Sequence, residues 1–282
     1  MKFVLEGETL TKAMIPTEGQ FFDAKIALLA FMTNRKIMKK LIPKPLKPAP
    51  MPAATVFIAI YPRTNFGSVY NEAALSLNVE YDGVPGSYCL LMPVTEDMAL
   101  ILGREFFGFP KKIAEKISLE ETDSGIEGSC VRHGVELINL TMPYEREVDE
   151  EEFLNIFHSF TPDAPMPEAF EAVNYLFKYF GNSTGSGFEY KPRLIKQVTT
   201  LRALSKIKIT SKFDLKLQSS DCDFLGEIPV KSPILGAYGI YNMTMHHGEV
   251  LTEVDEAEFT PYAFSKIDFM AEVEALKPEA EM

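Results

Sequence analysis

The sequence predicts a mainly β (α+β) protein, folded as a closed barrel or as packed antiparallel sheets with few helices. Short segments with apolar residues at alternate positions recur between residues 55 and 254. Turn signals punctuate them, including Asp82-Gly83 and Asp123-Ser124-Gly125. Strands so numerous and so closely connected must cover one another's edges, which a barrel or packed sheets achieve. The 282 residues show no internal repeat. They read as a single domain over 1–282, with about residues 1–20 and 270–282 peripheral.

Taken in order, Thr33-Asn34 followed by Ile37, Met38, Leu41 and Ile42 predicts a short capped helix with one apolar face. Pro43 and Pro45 stop it, and residues 44–54 are proline-rich and irregular. Residues 55–61 predict a buried strand. Residues 75–81 and 87–93 flank Asp82-Gly83 and predict a hairpin. Thr95 fits the N-cap of a helix carrying Met98, Ile101, Leu102 and Phe106, with Gly108 at its C′ position and Pro110 as its stop. Lys111 then opens a new strand. Residues 117–119, 127–131 and 135–140 continue the sheet. Residues 159–167 hold three prolines and read as a loop. Residues 168–180 fit a helix or a strand, because Phe170, Val173, Leu176, Phe177 and Phe180 also suit a helical face. Residues 181–187 are loop-like, residues 201–217 and 234–254 are strand-like, and residues 275–282 are charged and frayed.

Composition bounds the function. Hydrophobic residues make up 46% of the chain, enough for a sizeable core, and the formal charge is -12. That charge argues against nucleic acid or an anionic membrane as partner, and it obliges any anionic substrate to find local positive charge. The longest apolar run, residues 26–32, is far too short to span a bilayer. Cys89, Cys130 and Cys222 have no metal or redox spacing and suit free thiols in a reducing compartment. With no signal-peptide pattern in residues 1–12, the expectation is a cytoplasmic protein. His246-His247 does not make a metal site, since adjacent strand residues face opposite ways. His133 and His158 show no partner spacing, so no metal is expected. There is no phosphate-binding glycine loop and no serine-nucleophile motif.

The segment Gly103-Arg104-Glu105-Phe106-Phe107-Gly108-Phe109-Pro110-Lys111-Lys112 points to chemistry. Lysine is usually solvated, but apolar rings and a second cation both favour its neutral form. A neutral amine attacks carbonyls. Arg104 and Glu105 read as a structural ion pair at the helix end. Arg63, in the loop before Glu72, is the local candidate to bind a substrate carboxylate through its forked guanidinium.

Gly103-Arg104-Glu105 with Pro110-Lys111-Lys112 resembles the core motif of acetoacetate decarboxylases. Tyr70-Asn71-Glu72, Pro43-Lys44-Pro45-Leu46 and Ile228-Pro229-Val230-Lys231 are similar to further segments of that family, in its order. The resemblance implies a cone-shaped antiparallel β-barrel surrounded by additional sheet, a homo-oligomer, and no metal or organic cofactor. It implies that Lys111 forms a Schiff base with a small-molecule keto acid, that Lys112 is its cationic neighbour, and that Glu72 is an active-site carboxylate. Phe109 is expected against the substrate. Two family positions, an arginine and a second glutamate, fall near Ala24 and Phe57 in an ungapped reading, and residues 55–61 contain no acid.

Acetoacetate decarboxylase is itself the known example of a lysine activated by desolvation or a neighbouring cation. Lowering a lysine by about four pKa units takes ~5–6 kcal/mol. A like charge ~5 Å away at an effective dielectric of ~20 supplies about 3. On a strand, Lys111 and Lys112 face opposite ways, so burial must supply most of the effect. The expected function is cofactor-free decarboxylation of a β-keto acid such as acetoacetate. The alternatives are Schiff-base aldol or dehydration chemistry on 2-keto acids, and a barrel that only binds a ligand.

Overall fold

A computed structural model describes residues 3–13, 17–159 and 168–268. Seven strands pair in a closed circuit, Gly19–Met32, Ala53–Tyr61, Tyr70–Tyr81, Val84–Val94, Phe170–Lys178, Arg193–Ala203 and Ser232–Met245, the last returning to the first. All neighbours are antiparallel except Val84–Val94 and Phe170–Lys178, which run parallel where Tyr175 meets Tyr88. A separate antiparallel sheet of four strands, Lys116–Thr122, Gly125–Arg132, Val135–Met142 and Asp214–Leu217, covers one side.

Alternation explains how the two layers share one strand. In Ala53–Tyr61, Ala54, Val56 and Ile58 enter the large cluster that also holds Ile117, Ile126 and Leu140 of the outer sheet. Phe57, Ala59 and Tyr61 lie on the opposite face. Ala59 is in register with Glu72 and Phe57 with Ala74, so this is the face that meets the site.

The hairpin expected at Asp82-Gly83 is present, with both residues at positive φ. Asn34 caps the helix Arg35–Leu41 by accepting from the Lys36 amide. The helix Asp97–Leu102 is capped by Glu96 rather than Thr95, whose hydroxyl instead accepts from the Asn71 amide. Residues 168–180 resolve as the strand Phe170–Lys178, because its pairing with Arg193–Ala203 outweighs the helical spacing of its apolar residues. The alternation over 201–217 breaks into three strands at turns. The helix Glu150–His158 was not expected, although Asp149 caps it and three glutamates fill its first turn. Most of the expected loop 159–167 and all of the tail 275–282 lie outside the described residues. All three cysteines are free, with Cys89 and Cys130 buried. No helix among the described residues is long and apolar enough to cross a membrane.

The chain's last described turn, Thr260–Lys266, docks on an aromatic cluster of Phe177, Tyr179 and Phe259. Lys266 is buried there, donating to the Phe177 carbonyl at 3.1 Å and standing 3.8 Å over the Tyr179 ring. Burial, followed by the charges of Arg104 and Lys178, pulls its pKa down to about 7. The unfolded chain therefore holds the extra proton between pH 7 and the ordinary lysine value, and stability contributed by this group rises with pH across that window. Chemical denaturation from pH 7 to 9 should show a positive slope approaching roughly 1.4 kcal/mol per pH unit, one proton's worth. Lys266→Met should flatten that slope without lowering stability at pH 7.

Candidate active site

The segment that carries the lysines is built by an unusual backbone turn. The helix Asp97–Leu102 widens into a π-turn at Gly103–Phe107 and ends at Gly108, whose φ of 94 is left-handed. A side chain at Gly108 would also fall 2.5 Å from the Phe177 carbonyl oxygen. The amides of Gly108 and Phe109 both return to the Gly103 carbonyl, so the chain doubles back on the glycine. Lys111–Ile113 then forms a short strand running parallel to Val84–Val94, with Lys111 opposite Met92. The Lys111 stem lies across Gly103, where a Cβ would meet Lys111 Cε at 2.5 Å and Cδ at 2.6 Å. Glycine at 103 is therefore the seat of the lysine.

Strand alternation sends the two lysines to different surroundings. Lys111 is 3% exposed, and its Nζ donates to Glu72 Oε2 at 2.6 Å. The rings of Tyr70 and Phe109 stand 5.3 and 5.9 Å from that nitrogen. Tyr61 donates to Glu72 Oε1 over 3.5 Å. Burial, reinforced by the Glu72 charge, raises the pKa of both Tyr61 and Tyr70, so both phenols stay protonated.

Lys112 is also buried, but it donates to Asp223 Oδ1 at 2.9 Å and to the Cys222 carbonyl at 3.2 Å, with Asp268 at 3.3 Å. Arg132 joins both carboxylates. Burial pulls Asp268 up, but the hydrogen bonds and charge of Arg132, with help from His133 and Lys112, hold it at about 2. Lys112, expected as the cationic neighbour of Lys111, has its charge answered by two carboxylates. His133, Cys222 and Asp268 bring ligand atoms within 4.8 Å of one another. The Arg132 and Lys112 cations already held by Asp268 make this a poor place for a metal ion.

A cavity of about 790 Å³ opens beside Lys111. Tyr70, Gly103 and Lys111 line it together with Phe21, Phe66 and Met245. Glu72 and Phe109 lie behind Lys111, not on the wall. Arg63 does not reach it. This arginine is exposed, pairs with Asp23 at 3.2 Å and lies over the Phe22 ring, so it is occupied elsewhere. Asn65 and Phe66 of the same loop do line the cavity. Arg104 and Glu105 form no ion pair with each other among the described residues; the Arg104 charge acts on Lys266 instead. His247 lines the cavity, while His246 bonds to Glu18 and Thr200. Phe57 packs against the cluster of Phe109, Met92 and Ala74. Sequence reasoning missed Asp223, Arg132 and Asp268, which carry no local signature, and the walls Phe21 and Met245, which read as ordinary strand residues.

The family model described as acetoacetate decarboxylase matches residues 7–254. "CLA biosynthesis isomerase" of Lactiplantibacillus plantarum is 27% identical, covering 82% of this chain and 83% of its own. An acetoacetate decarboxylase of Acidiphilium cryptum is 25% identical, covering 82% and 88%. Among solved structures, acetoacetate decarboxylase from Legionella pneumophila superposes with a TM-score of 0.74 at 19% identity, over 88% of this chain and 97% of its own. The enduracididine biosynthesis enzyme MppR complexed with pyruvate does so with a TM-score of 0.65 at 17% identity, over 85% and 92%. At these identities the structures speak for the fold alone.

Gly103 adopts ordinary helical angles, φ -66 and ψ -40, so alanine there is free of backbone strain. The nearest atoms its methyl group would meet are those of the Lys111 side chain. Gly103→Ala should lower the reactivity of Lys111 towards carbonyl reagents by roughly tenfold or more, since a displacement of ~1 Å can cost that much or more, and should lower the melting temperature as well, because the buried pair with Glu72 is disturbed. Thermal unfolding and borohydride trapping measured side by side check this.

Proposed function

The chain belongs to the acetoacetate decarboxylase family, and from that premise we propose that it is a Schiff-base lyase that decarboxylates a β-keto acid through an imine on Lys111. The observation that carries the proposal is a buried amine at a cavity wall with one carboxylate 2.6 Å behind it. Attack requires the neutral amine, and Glu72 is within reach to accept the departing proton. The Lys111 nitrogen bonds to the ketone carbon and water leaves, giving an iminium ion. The bond to the carboxylate carbon then breaks, carbon dioxide departs, and its electron pair enters the enamine. Glu72 gives the proton it took from the amine to the departing water, so a second proton, drawn from solvent, reaches the enamine carbon through Glu72, and hydrolysis frees the ketone and the lysine.

Phe57 favours a second reading that shares the first step. Where the family resemblance implies a second acid stands Phe57, packed against the buried cluster that includes Phe109. One carboxylate suffices for the proton shuttle of aldol condensation or dehydration of a 2-keto acid. Carbon dioxide release separates the two chemistries. A barrel that only binds its ligand would form no reducible adduct.

Borohydride reduction in the presence of 3-oxobutanoate should place the adduct on Lys111, as read by peptide mapping. Lys112→Gln should keep that adduct, because Lys112 faces the Asp223 network. An adduct on Lys112, or none with any keto acid, overturns the assignment. Glu72→Gln should lower turnover by roughly 10²-fold or more while the imine stays detectable.

A further inference from the structure

We infer that the substrate of this site carries an apolar tail, so that the preferred β-keto acid is a 3-oxo acid with an alkyl chain well beyond four carbons. This rests on the imine reading above and extends it to the substrate class. The first argument is size. A four-carbon keto acid has about seven non-hydrogen atoms, roughly 200 Å³ at the ~30 Å³ that a water molecule occupies in the liquid. The cavity holds about 790 Å³, several times that volume.

The second argument is the chemistry of the walls. Imine formation needs only Lys111 and Glu72, yet the cavity is faced by Phe21, Phe66, Leu102, Phe106, Phe107 and Met245. These side chains come from four separate stretches of chain and converge on one space. They are not simply core, for Phe106 is 63% exposed and projects from the π-turn that seats the lysine. An exposed phenylalanine beside a catalytic amine is apolar surface held open for an apolar occupant.

The third argument is charge. The charged side chains on the cavity wall are Lys12, Glu18 and Lys111, and of these only Lys111 is buried. Lys12 pairs with Glu8 in solvent, and Glu18 pairs with His246. The deep end therefore handles the polar keto-acid head, and the remaining space offers hydrocarbon contact out to a polar rim. Each methylene buried there contributes a factor of up to about four in binding.

The test uses the unmodified protein and a series from 3-oxobutanoate to 3-oxodecanoate. The specificity constant for carbon dioxide release should rise about threefold per methylene before it levels off. In a competitive borohydride trap with equal amounts of 3-oxobutanoate and 3-oxodecanoate, the longer adduct on Lys111 should exceed the shorter by at least roughly tenfold. Phe66→Gln, which makes one wall polar, should shrink that ratio severalfold. If Lys111 is trapped by 3-oxobutanoate but neither rate nor trapping rises with chain length, the tail is refuted and the imine stands. If no keto acid is trapped at all, the underlying reading fails, and this one with it.

Discussion

The contact between the Lys111 nitrogen and the Glu72 carboxylate, 2.6 Å apart and shut away from water, is the constraint to which the surrounding structure answers. Neither group tolerates burial alone, and stripping one partner from a buried pair costs on the order of 3–5 kcal/mol. Both must therefore arrive together, and one strand arranges this. Val84–Val94 pairs with Glu72 at Val94 on one side and with Lys111 at Met92 on the other. Because side chains alternate along a strand, a slip of one residue in either pairing would turn one member of the pair away from the other. The π-turn and Gly103 supply the remaining condition, room for the lysine stem to lie flat against the helix end.

The adjacent lysine shows the same alternation at work for a different end. Lys112 enters a closed network in which two cations, Lys112 and Arg132, face two carboxylates, Asp223 and Asp268. The field reaching Lys111 from that side is that of a nearly balanced cluster, not of a free ammonium group. The network also fastens distant parts of the chain: the outer-sheet strand through Arg132, the loop at Asp223, and the C-terminal segment at Asp268. Its work is to hold the short lysine strand in place, while the apolar surroundings of Lys111 set the conditions for reaction.

Much of this is legible in the sequence, for identifiable physical reasons. The Asp82-Gly83 hairpin, the glycine stop at Gly108 and the opposite facing of Lys111 and Lys112 all follow from local backbone rules. Glu72 was reachable through its motif alone, since nothing local distinguishes it from a surface acid. Phe170–Lys178 escaped a firm reading because its apolar residues fit two periods, and only its partner strand decides between them. Arg63 misled because a forked guanidinium close in sequence to Glu72 says nothing about Asp23, which folds against it from another strand. Asp223 and Asp268 lie more than a hundred residues from Lys112, at a separation where no spacing rule applies.

Glu72 is the carboxylate that meets the Lys111 nitrogen, and this gives the proposed reaction its particular shape. Tyr61 cannot stand in as a base, because burial and the Glu72 charge keep its phenol protonated. It can only donate to Glu72. Glu72 is then left to receive the proton that Lys111 releases on attacking the carbonyl and to return a proton to carbon after the bond breaks. One carboxylate serves both steps in turn, passing the first proton to the departing water and a second, drawn from solvent, to the carbon. The barrel leaves the later chemistry open, since the same lysine and glutamate would serve an aldol or a dehydration equally well. What narrows the choice is the space beyond the imine, whose walls are shaped for hydrocarbon, while Phe57 lies in the cluster behind the lysine.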